Sequence, residues 1–281
     1  GKFRDSVVRG FTSKKYNEDP TLIKLLAYTN KTVKIYNELI HNARYSKDSN
    51  LIEVGEVLQG YSTIVRGTEE DGETIIENSA EYVVTEVKKV TQDIQADGEM
   101  LSFTGFEVTY QDMYDEKFTR TEFIIDHTNS ANMEKYGKKL ASLLQQAEMN
   151  RKLFWKYYAF MESILLMDTV VLKQKNKWGK PIQAFKNIDY GYATTVHKSQ
   201  GSTYDTVYVM DGEIDYHADR QGDIKLGNQL RYVAFSRPTN RVIAYHSEAT
   251  GEVVNVDEIK EESKPESNNE AVDSHDAQKD H

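Results

Sequence analysis

Residues 23–28 (IKLLAY) form a short, mainly apolar run, followed by Thr29 and Asn30 and then by Val33, Tyr36, Leu39 and Ile40 at spacings of three and four. The run has the length of a buried strand, Thr29 or Asn30 can cap a helix, and the spacing beyond them marks one helix face. Strand, polar turn and helix make the elementary unit of an α/β domain. The same pattern returns only near the other end of the chain. There residues 206–210 (TVYVM) and 242–245 (VIAY) read as strands, and Leu226, Leu230, Val233 and Ala234 mark a helix between them. The simplest parsing is one α/β domain interrupted by an insertion.

The intervening chain has a different period. From about Val54, β-type runs (EVGEVLQGY, ETIIENSAEYVVTEVKKV, LSFTGFEVTY, TRTEFIIDH) alternate with Gly, Asp and Asn, which predicts a small antiparallel barrel or meander. Residues 132–167 revert to a helical period through Met133, Tyr136, Leu140, Leu144 and Ala147, then Phe154, Tyr157 or Tyr158, Met161 and Leu165. That stretch reads as one interrupted helix or two consecutive ones. The expected organisation is an α/β portion at 1–54 and 186–249, an insertion at 55–185 and a tail at 250–281. From residue 251 onward Asp and Glu outnumber Lys ten to three, so the tail carries most of the formal net charge of −10. With few apolar residues it cannot offset the entropy of ordering and is expected to be disordered. The body is left nearly neutral, which removes the objection to a polyanionic partner that the total charge raises.

Composition closes several routes. The absence of cysteine excludes disulfides, thiol catalysis and thiolate metal sites, and the seven histidines form no close ligand pair, so no metal is assigned. Carboxylates between 211 and 229 read as a polar loop joining strand to helix. No run approaches the ~20 uncharged apolar residues of a membrane span, and the N-terminus lacks the apolar core of a signal peptide. An intracellular, cytoplasmic protein with no membrane partner is expected. The chain starts with Gly1 rather than Met, which leaves a fragment or a processed product.

Two segments carry chemistry. Residues 192–204 (YATTVHKSQGSTY) concentrate hydroxyls, an amide and a glycine-exposed backbone, the groups that hold phosphates. Residues 229–238 (QLRYVAFSRP) read as a helix end that delivers Arg237 into a turn closed by Pro238, where its planar fork can meet a phosphate. Residues 151–160 (RKLFWKYYAF) interleave basic and aromatic side chains. A base-stacking platform is one reading, and packing of Phe154, Tyr158 and Met161 with solvated Arg151, Lys152 and Lys156 is the simpler one.

Taken in order, LLAYTNKTV at 25–33, TTVHKSQGST at 194–203 and QLRYVAFSRP resemble motifs IV, V and VI of superfamily 1 helicases. Their wording and the β-rich insertion are most similar to the 1B branch, the RecD and Dda helicases. The resemblance implies a RecA-like second motor domain, 2A, of P-loop NTPase type, interrupted by a 2B insertion containing a Src-homology-3-like barrel with helices. It also implies ATP-driven 5′ to 3′ movement on single-stranded DNA, with possible host settings of a bacterium or a phage-infected cell. By motif match Arg237 is the catalytic arginine finger, Gln200 and Gly201 join Arg237 in binding ATP, and Tyr28, Thr29, Asn30, Thr195, His197 and Lys198 contact DNA. ATP with Mg²⁺ would be held mainly by an N-terminal helicase domain carrying the P-loop, and the acidic tail would offer a site to replication or repair proteins.

The departures are specific. No GxxxxGK[ST] occurs in the chain, so it holds at most half of an ATP site and is expected to be inactive alone as an ATPase. Thr203 stands where many relatives carry a ribose-binding Glu, and the motif IV region offers Lys31 and Arg44 without a clear phosphate ligand. The competing reading is a non-catalytic module that binds DNA or a replication protein on a helicase-derived scaffold. A relaxase-linked or nuclease-linked helicase is a weaker third.

Overall fold

A computed structural model describes residues 1–46, 49–67, 71–221 and 224–246. The acidic segment 250–281 lies outside the described residues. In chain order the elements are α1 (Lys2–Phe11), α2 (Lys14–Glu18), β1 (Ile23–Ala27), α3 (Asn30–Tyr45), β2 (Val57–Gly60), β3 (Ile64–Arg66) and β4 (Glu73–Ile76). There follow β5 (Glu81–Ala96), β6 (Glu99–Asp112), β7 (Thr119–Ile125), α4 (Ser130–Met149), α5 (Phe154–Glu162), β8 (Val170–Lys175) and β9 (Pro181–Ala184). The chain then returns through β10 (Ile188–Tyr190), β11 (Ala193–Thr195), β12 (Tyr204–Val209), α6 (Asp211–Gln221), α7 (Ile224–Phe235) and β13 (Pro238–Ala244). No helix among the described residues is long and apolar enough to cross a membrane.

The two ends of the sequence meet in one parallel sheet, ordered β11-β1-β12-β13. All five residues of β1 are buried, as expected of a central parallel strand covered on both faces. The period of two divides its side chains. Ile23, Leu25 and Ala27 join a core with Val7 and Phe11 of α1 and Val33 and Ile40 of α3. Leu26, with Val207 and Val209 of β12, packs against Ile214 of α6 and Leu230 and Ala234 of α7. The α/β reading and the cap at Thr29, which accepts from Thr32 N at 3.2 Å, are therefore both realised.

The intervening chain builds a five-stranded sheet in the linear order β10-β2-β5-β6-β7, antiparallel throughout. Its far end carries a second core, where Phe103, Ile125, Tyr136, Leu140 and Phe160 bury α4 and α5 against the strands. The helical stretch is indeed two consecutive helices, separated by a single 3-10 turn (Arg151–Leu153). Buried polar groups tie this region to the parallel sheet. Lys24 of β1 reaches Glu81 at the start of β5 and the carbonyl of Gly191, all buried. Burial works to lower the Lys24 pKa, but the Glu81 carboxylate more than offsets it and holds it above the ordinary lysine range. Asn37 of α3 donates to the Tyr190 carbonyl at 2.8 Å and accepts from Ala193 N at 2.7 Å, pinning the turn between β10 and β11.

Two expectations require correction. The expected helix at Leu226–Ala234 is α7, but the residues before it, read as a loop, form a further helix, α6. Ile214 and Ala218 bury one face of α6, and Gly227 of α7 sits where a Cβ would lie 2.8 Å from the Ala218 methyl, so the pair packs closely. In α5 the buried anchor is Phe160, whereas Tyr158, assigned to the packed face, is 51% exposed. The N-terminal helices α1 and α2 were not foreseen. They are held by Tyr208 Oη donating to the Ser6 carbonyl at 2.8 Å and by Gly10, whose missing Cβ makes room for the same hydroxyl.

Candidate nucleotide and nucleic-acid interface

Because all four strands of the parallel sheet run the same way, its two edges are chemically distinct. The strand C-termini bring Tyr28, Thr29 and Asn30 after β1 beside Thr195 and His197 after β11, through the register Ala27↔Thr195. The strand N-termini bring residues 200–203, before β12, beside Arg237, before β13. The residues expected to face DNA and those expected to face ATP thus fall on opposite edges. Residues 196–203 connect the two.

At the C-terminal edge, Tyr28 stacks on His217 of α6 with ring centroids 4.6 Å apart and meets His197 edge-on at 5.9 Å. His197 is exposed, whereas Thr195 is buried and its hydroxyl faces Lys198 N at 3.4 Å. Asn30 is exposed at the first turn of α3. The α3 N-terminus itself is occupied by a carboxylate: Glu213 of α6 accepts from Tyr28 N at 2.8 Å and from the hydroxyls of Thr29 and Thr32, each at 2.6 Å. Negative charge near a helix N-terminus is favoured by the helix dipole, and Glu213 fixes the Thr29 and Thr32 hydroxyls there. Neither Glu213 nor His217 stood out in the sequence, because their partners lie far away along the chain.

Lys198 turns toward the insertion. Its Nζ lies 3.9 Å from the centroid of the Tyr61 ring and donates to Asn78 Oδ1 at 3.1 Å. Lys186 approaches the same ring at 4.1 Å and pairs with Asp189. Burial, and then the neighbouring Lys186 charge, push the Lys198 pKa below the usual lysine value. This is an electropositive spot beside an aromatic face, and it was not visible in the sequence.

At the N-terminal edge, Gly201 adopts φ +88° with open space around its Cα, a left-handed conformation that exposes the loop backbone. Gln200 is exposed beside it. Arg237 leaves the end of α7 and donates from Nη1 to the Ser202 carbonyl and from Nε to the Val233 carbonyl, both at 3.1 Å. Guanidinium, amide, hydroxyl and exposed N–H are anion donors, so the set fits one side of a nucleotide phosphate site.

Arg44 is absorbed by the fold. It donates to the Phe11 carbonyl at 2.7 Å and to Asn17 Oδ1 at 2.8 Å, and packs against the rings of Tyr16, Tyr45 and Tyr192. Lys31 is exposed on α3. Asp211, Asp215 and His246 offer ligand atoms within 4.8 Å of one another, but the Arg231 guanidinium already bridges the two carboxylates as their counter-charge.

Residues 190–245 match the UvrD-like helicase C-terminal domain family. The conjugal transfer protein TraA of Agrobacterium fabrum is 37% identical over 62 residues, 22% of this chain and 5% of that protein. An uncharacterized protein of Acanthamoeba polyphaga mimivirus is 24% identical over 192 residues, 67% of this chain and 30% of that protein. The chain thus spans less than a third of these curated relatives. The solved Pif1 helicase from Candida albicans aligns with 93% of this chain and 57% of its own at 11% identity, with a TM-score of 0.41. The resemblance read from motifs V and VI is supported as that of a C-terminal helicase half, over the segment that carries both.

Proposed function

We propose that this chain is the C-terminal motor portion of an ATP-dependent DNA helicase that moves 5′ to 3′ on single-stranded DNA. In this reading the parallel sheet is the second RecA-like domain, and the antiparallel region is its 2B insertion of Src-homology-3-like type. An N-terminal motor domain supplies the P-loop, which holds ATP and Mg²⁺. Arg237 then stabilises charge developing on the γ-phosphate, with Gln200 and Gly201 lining the same side.

The observation that carries the reading is the course of residues 196–203. One short loop starts at His197 and Lys198 on the strand C-terminal edge and ends at Ser202, to which Arg237 is hydrogen-bonded on the other edge. A shift of Arg237 on phosphate release therefore pulls on the loop that begins at the DNA side. Contacts from Tyr28, Thr29, Asn30, Thr195, His197 and Lys198 would go to phosphate and sugar and be indifferent to base sequence.

The test is ATP hydrolysis by the full helicase polypeptide, or by this chain recombined with its P-loop domain, with and without a thymidine oligonucleotide. Arg237→Ala is expected to abolish DNA-stimulated turnover while leaving oligonucleotide affinity in place. Unchanged turnover in that variant would favour a binding module on a helicase-derived scaffold.

A further inference from the structure

One stretch of the chain with a single sign of charge was not absorbed by any motif. Residues 169–188 contain Lys173, Lys175, Lys177, Lys180 and Lys186 and no carboxylate, in a chain whose formal net charge is −10. They form the antiparallel hairpin β8–β9, which pairs Val171 with Gln183 and Lys175 with Pro181. The period of two sorts its side chains. Leu172, Ile182 and Ala184 enter the second core against α4, so the hairpin is anchored by its inner face. Lys173, Lys175, Lys177 and Lys180 are all exposed; Lys173 adds to the positive field that lowers the Glu134 pKa, and among the described residues no carboxylate lies within 4 Å of any of the four ammoniums. Elsewhere the lysines near this surface are matched, Lys138 by Glu134, Lys139 by Glu99 and Lys156 by Asp97.

Two large aromatic side chains stand on the same surface. Trp178 at the hairpin tip is 70% exposed and Phe185 at the end of the second strand is 63% exposed. Lys177 Nζ lies 4.4 Å from the Trp178 ring. Here two exposed rings are interleaved with four exposed ammoniums on one hairpin. They match a ligand that is both polyanionic and flat-faced. Phe185 is followed directly by Lys186, whose Nζ packs on Tyr61, and Tyr61 in turn packs on Lys198 of the 196–203 loop. At ~3.3 Å per extended residue the four-residue second strand is ~13 Å long, with Lys180 before it and Phe185 and Lys186 after it.

We propose that the 170–186 hairpin is a nucleic-acid contact separate from the sheet edges, binding single-stranded polynucleotide. Lys173, Lys175, Lys177 and Lys180 neutralise phosphates, Trp178 stacks an unpaired base, and Tyr61 with Lys186 joins this track to Lys198. A single strand is favoured over a duplex because a stacking ring needs an open base face, which paired bases inside a helix do not offer. The assignment rests on the DNA reading above but names residues outside the helicase motifs.

The test measures binding of a labelled 20-residue thymidine oligonucleotide to the full chain by fluorescence anisotropy across a salt series. Three proteins are compared with the wild type: a Lys175→Gln, Lys177→Gln, Lys180→Gln triple variant, Trp178→Ala, and Lys198→Ala on the motif side. All the hairpin substitutions face solvent, and thermal melting checks that the fold is kept. The triple variant is expected to bind at least ten-fold more weakly and to flatten the slope of log affinity against log salt by about 2, since each single-strand phosphate contact contributes about 0.7. Trp178→Ala is expected to weaken binding about five-fold or more. In a Trp155→Phe protein, Trp178 fluorescence should be quenched by the oligonucleotide. Wild-type affinity and slope in both hairpin variants, with loss only in Lys198→Ala, overturns the hairpin site and leaves the DNA reading standing. No binding by the wild type overturns both. Equal binding of a 20-base-pair duplex that is insensitive to Trp178→Ala overturns the single-strand assignment.

Discussion

The guanidinium of Arg237 donates to the carbonyl oxygen of Ser202 at 3.1 Å, so the turn that ends α7 rests directly on the loop that begins at His197. The loop is held in turn by Ser199, which is buried and donates from its hydroxyl to the Val196 carbonyl at 2.7 Å. Residues widely separated in sequence are thereby one mechanical unit.

That unit depends on Gly201. At φ +88° a Cβ meets no neighbour within 4 Å, so Gly201→Ala is penalised by backbone strain alone. It is expected to cost about 1 kcal/mol, read as a lower urea midpoint. Gly201→Asn, which tolerates the left-handed region better, should cost less.

Glu213 ties α6 to the start of α3 through three hydrogen bonds. Glu213→Ala leaves Tyr28 N without that acceptor and is expected to lower stability by about 2 kcal/mol. Glu213→Gln, which keeps an acceptor but not the charge, should lose roughly half as much in the same denaturation measurement.

The Lys24–Glu81 pair is buried between the parallel sheet and β5, and Tyr114 Oη also donates to Glu81 at 3.1 Å. Lys24→Met strands a buried carboxylate and is expected to cost about 3–5 kcal/mol. The double variant Lys24→Met with Glu81→Leu should recover part of that loss. A double-mutant cycle of unfolding free energies measures the coupling, and simple additivity would contradict it.

Acidification should destabilise the fold through His127. Burial pushes its pKa below the ordinary histidine value, and its Nδ1 is buried without a partner. The unfolded chain therefore binds a proton more readily than the folded one. The contribution is complete above the unfolded pKa of about 6.5 and is lost as pH falls through that value toward the lower folded one. Melting temperature should fall more steeply between pH 7.5 and 5.5 in the wild type than in His127→Asn.

Strands β1 and β12 and the end of β13 were legible in the sequence because they are short apolar runs and the helix cap after β1 is local, whereas β11 lies inside a polar segment. Thr29 caps α3 with its own hydroxyl, and β1 is buried along its whole length. The placement of Arg237 at the junction of α7 and β13 was legible for the same reason. What the sequence concealed depends on distant partners. The α6 part of the segment looks polar because Asp211 and Asp215 are spent on Arg231, while Ile214 and Ala218 face inward. Glu213 has no local signal at all, since its partners lie on another strand and helix. Tyr158 shares the helical spacing of core aromatics, yet the inward side of α5 is set by where Tyr136 of α4 stacks, which is on Phe160.

The proposed function requires Arg237 to act from one side of a shared ATP site. The most direct measurement is single-stranded-DNA-stimulated ATP hydrolysis by the full helicase polypeptide carrying Arg237→Lys. An arginine finger predicts turnover lower by about 10³ or more, with oligonucleotide affinity and melting temperature close to wild type. Turnover within a few-fold of wild type would contradict it.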